Sequence, residues 1–293
     1  MKNLLIIGAN GLLGSTLARI AKETSTWNPI ALDIDQIDIT NPASIASTLD
    51  LHHPNAIINC AAFTNVEACE EEDGFKTATR VNGEAVGFLA SACKENAVPF
   101  IHISTDYVFN GSDREGISEE TIPSEPMNAY GKTKRIGEEN IIKIYGGLNG
   151  ADFADQTSPA YLIRISWLFG HGAKNFVGKI LELAQARASL SIVDDEIGTP
   201  TLADDLSERL LWLLDSGLPF GIYHATGKGS CSRYEFAEAI FNAKKHPIKL
   251  ERAKLADFPR KAHIAPISIL KNTRMPDMPL WQEMVARYIQ EVE

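Results

Sequence analysis

Five short apolar runs punctuate the first two-thirds of the chain: Leu4–Ile7, Ile30–Leu32, Ala56–Ile58, Phe100–Ile103 and Tyr161–Ile165. These runs are near-continuous rather than alternating, so each reads as a strand covered on both faces. Helix-length segments separate them, and that alternation predicts an α/β fold built on a doubly wound parallel sheet. After about residue 170 the pattern loosens. It predicts a helix near Asn175–Arg187, a strand at Leu190–Val193, a helix near Ala203–Asp215, a strand at Gly221–Ala225, a helix at Ser232–Ala243 and a last helix near Leu280–Glu291. These later elements suggest a smaller C-terminal α/β domain over 171–293 that walls the cleft of a 1–170 domain, with some segments returning to the sheet. Tyr145–Pro159 is rich in Gly, Asp and Ser and reads as a surface loop.

Composition narrows the partners. The 28 basic and 38 acidic residues leave a formal charge of -10, a field that repels nucleic acid and anionic membranes. An anionic small molecule then needs local help, which the N-terminus of a helix supplies through free backbone N–H groups. The four cysteines, Cys60, Cys69, Cys93 and Cys231, form no CxxC pair, and no histidines cluster at metal-ligand spacing, so no metal site is expected. The opening apolar run is too short for a signal-peptide core or a membrane span. With the unpaired cysteines, this predicts a cytoplasmic protein.

The first strand runs directly into Gly8-Ala-Asn10-Gly11-Leu12-Leu13-Gly14 and then into a helical stretch. Glycines there let the chain turn sharply and bring a dinucleotide's pyrophosphate against the backbone at the helix N-terminus. Asp33, 19 residues past Gly14 at the end of the second strand, is placed to accept hydrogen bonds from an adenosine ribose. No arginine follows it to meet a 2′-phosphate, which favours NADH over NADPH. Asp35 and Asp38 stand close enough to take the same role.

Tyr130-Gly-Lys-Thr-Lys134 puts a phenol and an ammonium one helical turn apart on the same face. Carbonyl reduction needs a hydride from a nicotinamide and a proton for the nascent alkoxide. A phenol at its free pKa gives that proton slowly, and an adjacent cation lowers the pKa. Upstream, Ser104 and Thr105 bring hydroxyls to the C-terminal end of a strand, where ligands bind in open α/β sheets and where a hydroxyl can bond a developing oxyanion.

Together these residues resemble the extended short-chain dehydrogenase/reductase superfamily and, within it, the dTDP-4-dehydrorhamnose reductase family. The resemblance runs through GANGLLG at Gly8–Gly14, INCAAFTNVEACEEE at Ile58–Glu72, VNGEAVGFLA at Val81–Ala90 and ISTDYVFNG at Ile103–Gly111. It continues through NAYGKTKRIGEE at Asn128–Glu139, RISWLFG at Arg164–Gly170 with Asn175-Phe176 nearby, VDDEIGTPTLADDL at Val193–Leu206 and GIYHATGKGSCSRYEFA at Gly221–Ala237. It implies a Rossmann-type fold with Thr105, Tyr130 and Lys134 as the catalytic set. By the same resemblance Asp38, Ile39, Cys60, Ala61, Ala62 and Phe63 flank the adenosine and its ribose, and Asn82 supports the site. Asp106 and Trp167 would line a sugar pocket with Thr105 and Tyr130. The implied reaction is reduction of the C4 ketone of dTDP-4-dehydro-L-rhamnose to dTDP-L-rhamnose by NADH or NADPH.

The chain also departs from the family pattern. Ile264-Ala265 stand where the family carries Arg-Pro ahead of a serine, here Ser268, and Glu196 stands where glutamine is common. Arg260 and Lys261 precede that stretch as replacement cations. Some members use Mg2+ at a dimer contact through glutamates, but Ser15-Thr16 follow the glycine loop here, so no catalytic metal is expected. Two other readings stay open on the sequence: a reductase or epimerase of another nucleotide sugar, and a non-catalytic dinucleotide-binding regulatory subunit like the methionine adenosyltransferase beta subunit. The sequence allows either a monomer or a homodimer.

Overall fold

A computed structural model describes residues 1–111, 113–146, 159–172 and 175–292. In chain order the first part contains β1 (Lys2–Ile7), α1 (Leu12–Glu23), β2 (Trp27–Leu32), α2 (Pro42–His52), β3 (Ala56–Asn59), α3 (Glu72–Ala78), α4 (Ala85–Glu95), β4 (Phe100–Thr105), α5 (Ala129–Tyr145) and β5 (Ala160–Ile165). There follow β6 (Leu168–Phe169), α6 (Phe176–Ala186), β7 (Ser189–Val193), β8 (Ile197–Gly198), β9 (Thr201–Leu202), α7 (Ala203–Ser216) and β10 (Gly221–His224). The chain ends with β11 (Cys231–Ser232), α8 (Arg233–Lys244), β12 (Lys249–Ala253), β13 (Ile267–Ser268) and α9 (Trp281–Glu291).

Six strands pair in parallel in the order β10-β5-β4-β3-β1-β2. From β1 the chain moves to β2 on one side and then crosses back to β3 on the other, so the order reverses at β1. In open α/β sheets the crevice at such a reversal, above the carboxyl ends of the strands, is where ligands bind. Three segments meet there: the glycine loop after β1, Cys60–Phe63 after β3, and Thr105-Asp106 at the end of β4.

The apolar runs lack a period of two because both faces of the sheet are covered. Along β1, Leu4 and Ile6 join one core, with residues of α1, α6, α7, α8 and α9. Leu5 and Ile7 join the other, with residues of α2, α4 and α5. Each such side chain contributes about 1.5–3 kcal/mol on burial.

The later elements fall close to their expected bounds, but β10 does not stay in a separate unit. It pairs with β5 and completes the main sheet. The smaller strands make a three-stranded group β11-β8-β13 and the pairs β12-β7 and β6-β9. Of the expected loop Tyr145–Pro159, residues 147–158 lie outside the described residues. Tyr145 itself ends α5, buried, with its hydroxyl donating to Ala90 O at 3.1 Å.

Candidate active site

The glycine loop is held in the form a dinucleotide needs. Gly8 sits at φ +81°, a left-handed conformation that favours glycine, and a Cβ there would lie 2.6 Å from Ala61 N. A Cβ on Gly14 would lie 2.1 Å from Gly8 O. Gly11 is the N-cap of α1 and has no side chain to cap the first turn, so those N–H groups are open to an anion.

Two clefts meet over this loop. One, of about 400 Å³, is lined by Gly8, Asn10, Asp33, Asp38, Ala61 and Phe63, among others. The other, of about 600 Å³, is lined by Leu12, Leu13, Gly14, Thr105, Tyr130 and Lys134, among others. Gly11, Cys60 and Ala62 line both. Ile39 also lines the first.

Asp33 is tied into the loop. Its carboxylate accepts from Asn10 N at 2.7 Å and from Ile34 N at 2.8 Å. Asp38 accepts from Thr40 N and from the Thr40 hydroxyl, and that hydroxyl first holds its carboxyl below the usual range. Asn82 is not on the catalytic cleft. It lies in a π-helical segment, Thr79–Glu84, between α3 and α4, where it accepts from Phe63 N at 2.8 Å and donates to Phe63 O at 3.0 Å. Its amide also donates to Thr133 Oγ1. Asn82 therefore shapes the Cys60–Phe63 segment from behind and joins it to α5.

The N-cap Asn128 starts α5, accepting from Gly131 N at 2.8 Å, and so fixes where Tyr130 leaves the helix. Tyr130 faces the cleft edge-on to Tyr107, ring centroids 5.6 Å apart. Burial first, and then the nearby Asp106 and Tyr107, push its phenol above the ordinary value, while a hydrogen bond with the Thr105 hydroxyl opposes them. The expected lowering by Lys134 does not arise in this arrangement. The Lys134 ammonium position is drawn the other way, donating to Ile103 O at 2.7 Å and lying 3.2 Å from His102 Nε2. Burial lowers Lys134 to about 8, against the nearby Glu138 and Cys60.

Ser104 does not serve as a free hydroxyl for an oxyanion. It donates to Glu138 at 2.5 Å, and Glu138 also pairs with Arg164 at 2.8 Å in a site closed to solvent. Thr105 lines the same cleft as Tyr130. It donates to Asp106 Oδ1 at 2.9 Å and accepts from Tyr107 N. Asp106 Oδ2 accepts from Ser166 at 2.9 Å and from Ser268 at 2.6 Å. Burial raises the Asp106 pKa, with those three hydroxyls acting against the rise.

Trp167 adopts φ +43° and lines the cleft, with Arg233 stacked on its ring and held by Glu196. Sequence reasoning did not pick out Arg233, His102 or Ser166, and it named Ser268 only as the serine of the departing C-terminal stretch; no motif spacing joins them to Tyr130. The departure at Glu196 was the one available signal for Arg233. Arg260 lines a separate cleft of about 720 Å³ with Arg114, His263, Asp194 and Asp195. Lys261 pairs with Glu71. Neither lines the cleft of Tyr130. Among the described residues, no three His, Cys, Asp or Glu side chains group as metal ligands, and no helix is long and apolar enough to cross a membrane.

The family model described as "RmlD substrate binding domain" matches residues 1–293. The chain is 33% identical to the spore coat polysaccharide biosynthesis protein SpsK of Bacillus subtilis over 295 aligned positions, covering 99% of this chain and 98% of that one. It is 35% identical to a dTDP-4-dehydrorhamnose reductase of Aggregatibacter actinomycetemcomitans, covering 94% and 92%. A crystal structure of dTDP-4-dehydrorhamnose reductase from Bacillus anthracis in complex with NADP superposes with a TM-score of 0.89, at 30% identity and 99% coverage of both chains. The Rossmann-type sheet, the open glycine loop and these matches along the whole sequence agree, and the chain belongs to the dTDP-4-dehydrorhamnose reductase family.

Proposed function

We propose that this protein reduces the C4 ketone of dTDP-4-dehydro-L-rhamnose to dTDP-L-rhamnose with a reduced nicotinamide dinucleotide. The observation that carries the reading is the cleft itself. Tyr130, Lys134 and Thr105 line it together, and it opens onto the uncapped N-terminus of α1. The dinucleotide, when bound, supplies the hydride.

The chain's own residues have separate tasks in this reading. Gly8, Gly11 and Gly14 bring the backbone N–H groups of α1 to the pyrophosphate, with Leu12 and Leu13 beginning the helix. Asp33 takes the adenosine ribose, and Ile39, Ala61, Ala62 and Phe63 enclose the adenosine. Lys134 lies where a nicotinamide ribose would sit, and its charge there would favour the Tyr130 phenolate. Tyr130 gives its proton to the alkoxide oxygen as the ketone is reduced, and the Thr105 hydroxyl, on turning away from Asp106, would orient that oxygen by a hydrogen bond. Trp167 offers the indole face to the apolar side of the deoxysugar. We assign the cofactor to 1–170 and the sugar mainly to 171–293, with β10 counted in the main sheet.

Of the two cofactors we favour NADH. Asp33 and Asp38 both line the adenosine cleft, and a 2′-phosphate there would meet two carboxylates without an arginine in the lining. The test is oxidation of NADH and of NADPH, followed by absorbance, with dTDP-4-dehydro-L-rhamnose generated in situ. Turnover with formation of dTDP-L-rhamnose supports the reading, and the ratio of kcat/KM ranks the cofactors. Dinucleotide binding without turnover would point instead to the regulatory role.

A further inference from the structure

The hydrogen bonds behind Lys134 all run in one direction. The Ala61 backbone N–H can only donate, and it donates to Asn59 Oδ1 at 3.1 Å. That fixes the amide and turns Asn59 Nδ2 toward His102 Nδ1, 3.1 Å away. Nδ2 carries hydrogens and no lone pair to offer, so Nδ1 is the bare nitrogen of the ring. His102 is fully buried, and burial, the largest cause, holds its pKa well below the ordinary value, so the ring is neutral. A neutral imidazole with a bare Nδ1 carries its hydrogen on Nε2. Nε2 faces Lys134 Nζ at 3.2 Å. An N–H pointed at that nitrogen needs a lone pair, which an amine has and an ammonium lacks.

We infer that, in the protein without its dinucleotide, Asn59 and His102 favour the neutral amine of Lys134 over its ammonium, and that charging Lys134 requires the ring to move its hydrogen to Nδ1 and the Asn59 amide to turn over. In the resting arrangement every bond is satisfied, since the amine donates onward to Ile103 O at 2.7 Å. After the turn, Asn59 Nδ2 would face the Ala61 N–H, donor against donor. Ala61 lies in the Cys60–Phe63 segment that lines the adenosine cleft. The charge on Lys134 and the form of that segment are therefore linked.

His102 is a positioning residue in this scheme, because it acts through Lys134. The other groups around Lys134 do not reverse the argument. Glu138 and Cys60 favour the ammonium, but Glu138 is already engaged by Arg164 and Ser104. Tyr130 lies on the open side, and its phenol is held protonated by burial and by Asp106.

The first experiment needs no substrate. Two-bond 1H–15N correlation spectra of the wild-type protein, with His102 assigned by its loss in His102→Gln, report which ring nitrogen carries the hydrogen. The expected result is a ring that stays neutral between pH 6 and 9 and carries its hydrogen on Nε2 at pH 9. An Nδ1–H ring at pH 9, or one titrating near 6.5, overturns the inference. The second experiment rests on the reductase reading and compares pH profiles of kcat/KM. The active form is taken to carry a charged Lys134, so activity falls as pH rises through its pKa. His102→Leu removes the opposing N–H and should raise the apparent pKa of that alkaline limb by about 1. His102→Gln retains an amide N–H donor and should leave the limb near its wild-type position. Equal limbs in the two variants overturn the inference. A protein that turns over no sugar still passes or fails the spectroscopic test, so the two readings fail separately.

Discussion

The Arg233 guanidinium lies flat over the indole of Trp167, its Cζ 3.4 Å from the ring centroid. Glu196 holds it there, accepting from Nε at 3.0 Å and from Nη2 at 2.8 Å, with both side chains largely buried. Lys134 is the other cation on the lining of this cleft, and it is turned toward Ile103 and His102. Arg233 is thus the cation available to an anionic substrate in a protein of charge -10. In the proposed reading Arg233, the first residue of α8, takes the role of the arginine absent at Ile264. Arg233→Gln should raise KM for the nucleotide sugar and lower kcat/KM by about ten- to hundredfold, the range for a lost charge-assisted hydrogen bond. Dinucleotide affinity should stay unchanged, and fluorescence titration checks that half.

Tyr130 is the proton donor of the proposed reaction, and its phenol is protonated at neutral pH. Tyr130→Phe removes one oxygen and keeps the ring against Tyr107. The variant should lose about 10²- to 10⁴-fold in kcat, the usual size of general-acid catalysis. Its dinucleotide affinity should remain that of the wild type. Near-normal kcat in this variant would exclude Tyr130 as the acid.

Much of this site was legible in the sequence because its parts are local. The glycine loop, the Tyr130–Lys134 turn and the Thr105-Asp106 step each sit at the end of one element, and backbone geometry alone decides where each points. The contacts that tune these groups were not legible, because they join residues distant along the chain. Ser268 reaches Asp106 across 162 residues, and Glu138 meets Arg164 across 26. The expectation that Lys134 lowers the Tyr130 pKa followed from spacing on the helix. It missed His102 and the Ile103 carbonyl, which lie on the neighbouring strand and draw Nζ away. Asn82 was assigned a supporting role from its motif, but the π-helical turn that directs it at Phe63 has no separate signature in the sequence.

Burial of Lys134 should also appear in the pH dependence of folding. Its pKa is about 8 in the folded protein against 10.5 for an ordinary lysine. Between those values the unfolded chain binds more protons than the folded one, so the stability contributed through this group rises with pH over that window. Below about 8 both states carry the charge and the cost of burying it is felt in full. Lys134→Met abolishes the effect. The difference in unfolding free energy, wild type minus Lys134→Met, should therefore increase from pH 8 to pH 10 in denaturant titrations. A flat difference would show that the folded protein does not depress this lysine.

Gly198 controls how Trp167 is presented. A Cβ on Gly198 would lie 2.4 Å from Trp167 Cε2 and 2.6 Å from its Nε1, closer than any real contact. Trp167 is also held at φ +43°, a conformation a bulky residue enters only when its surroundings require it. The indole cannot move freely, since Arg233 is stacked on it. Gly198→Ala should therefore displace the ring from its place on the cleft lining. That should cost about 1–3 kcal/mol of stability, as overpacking does, and raise KM for the nucleotide sugar. Trp167→Phe in the same chain gives a smaller ring in place of the three indole atoms that clash. The double variant should recover most of the lost stability while keeping a weakened KM, and a thermodynamic cycle over the four proteins measures the coupling. Additive losses in the double variant would mean that the two residues do not meet as described.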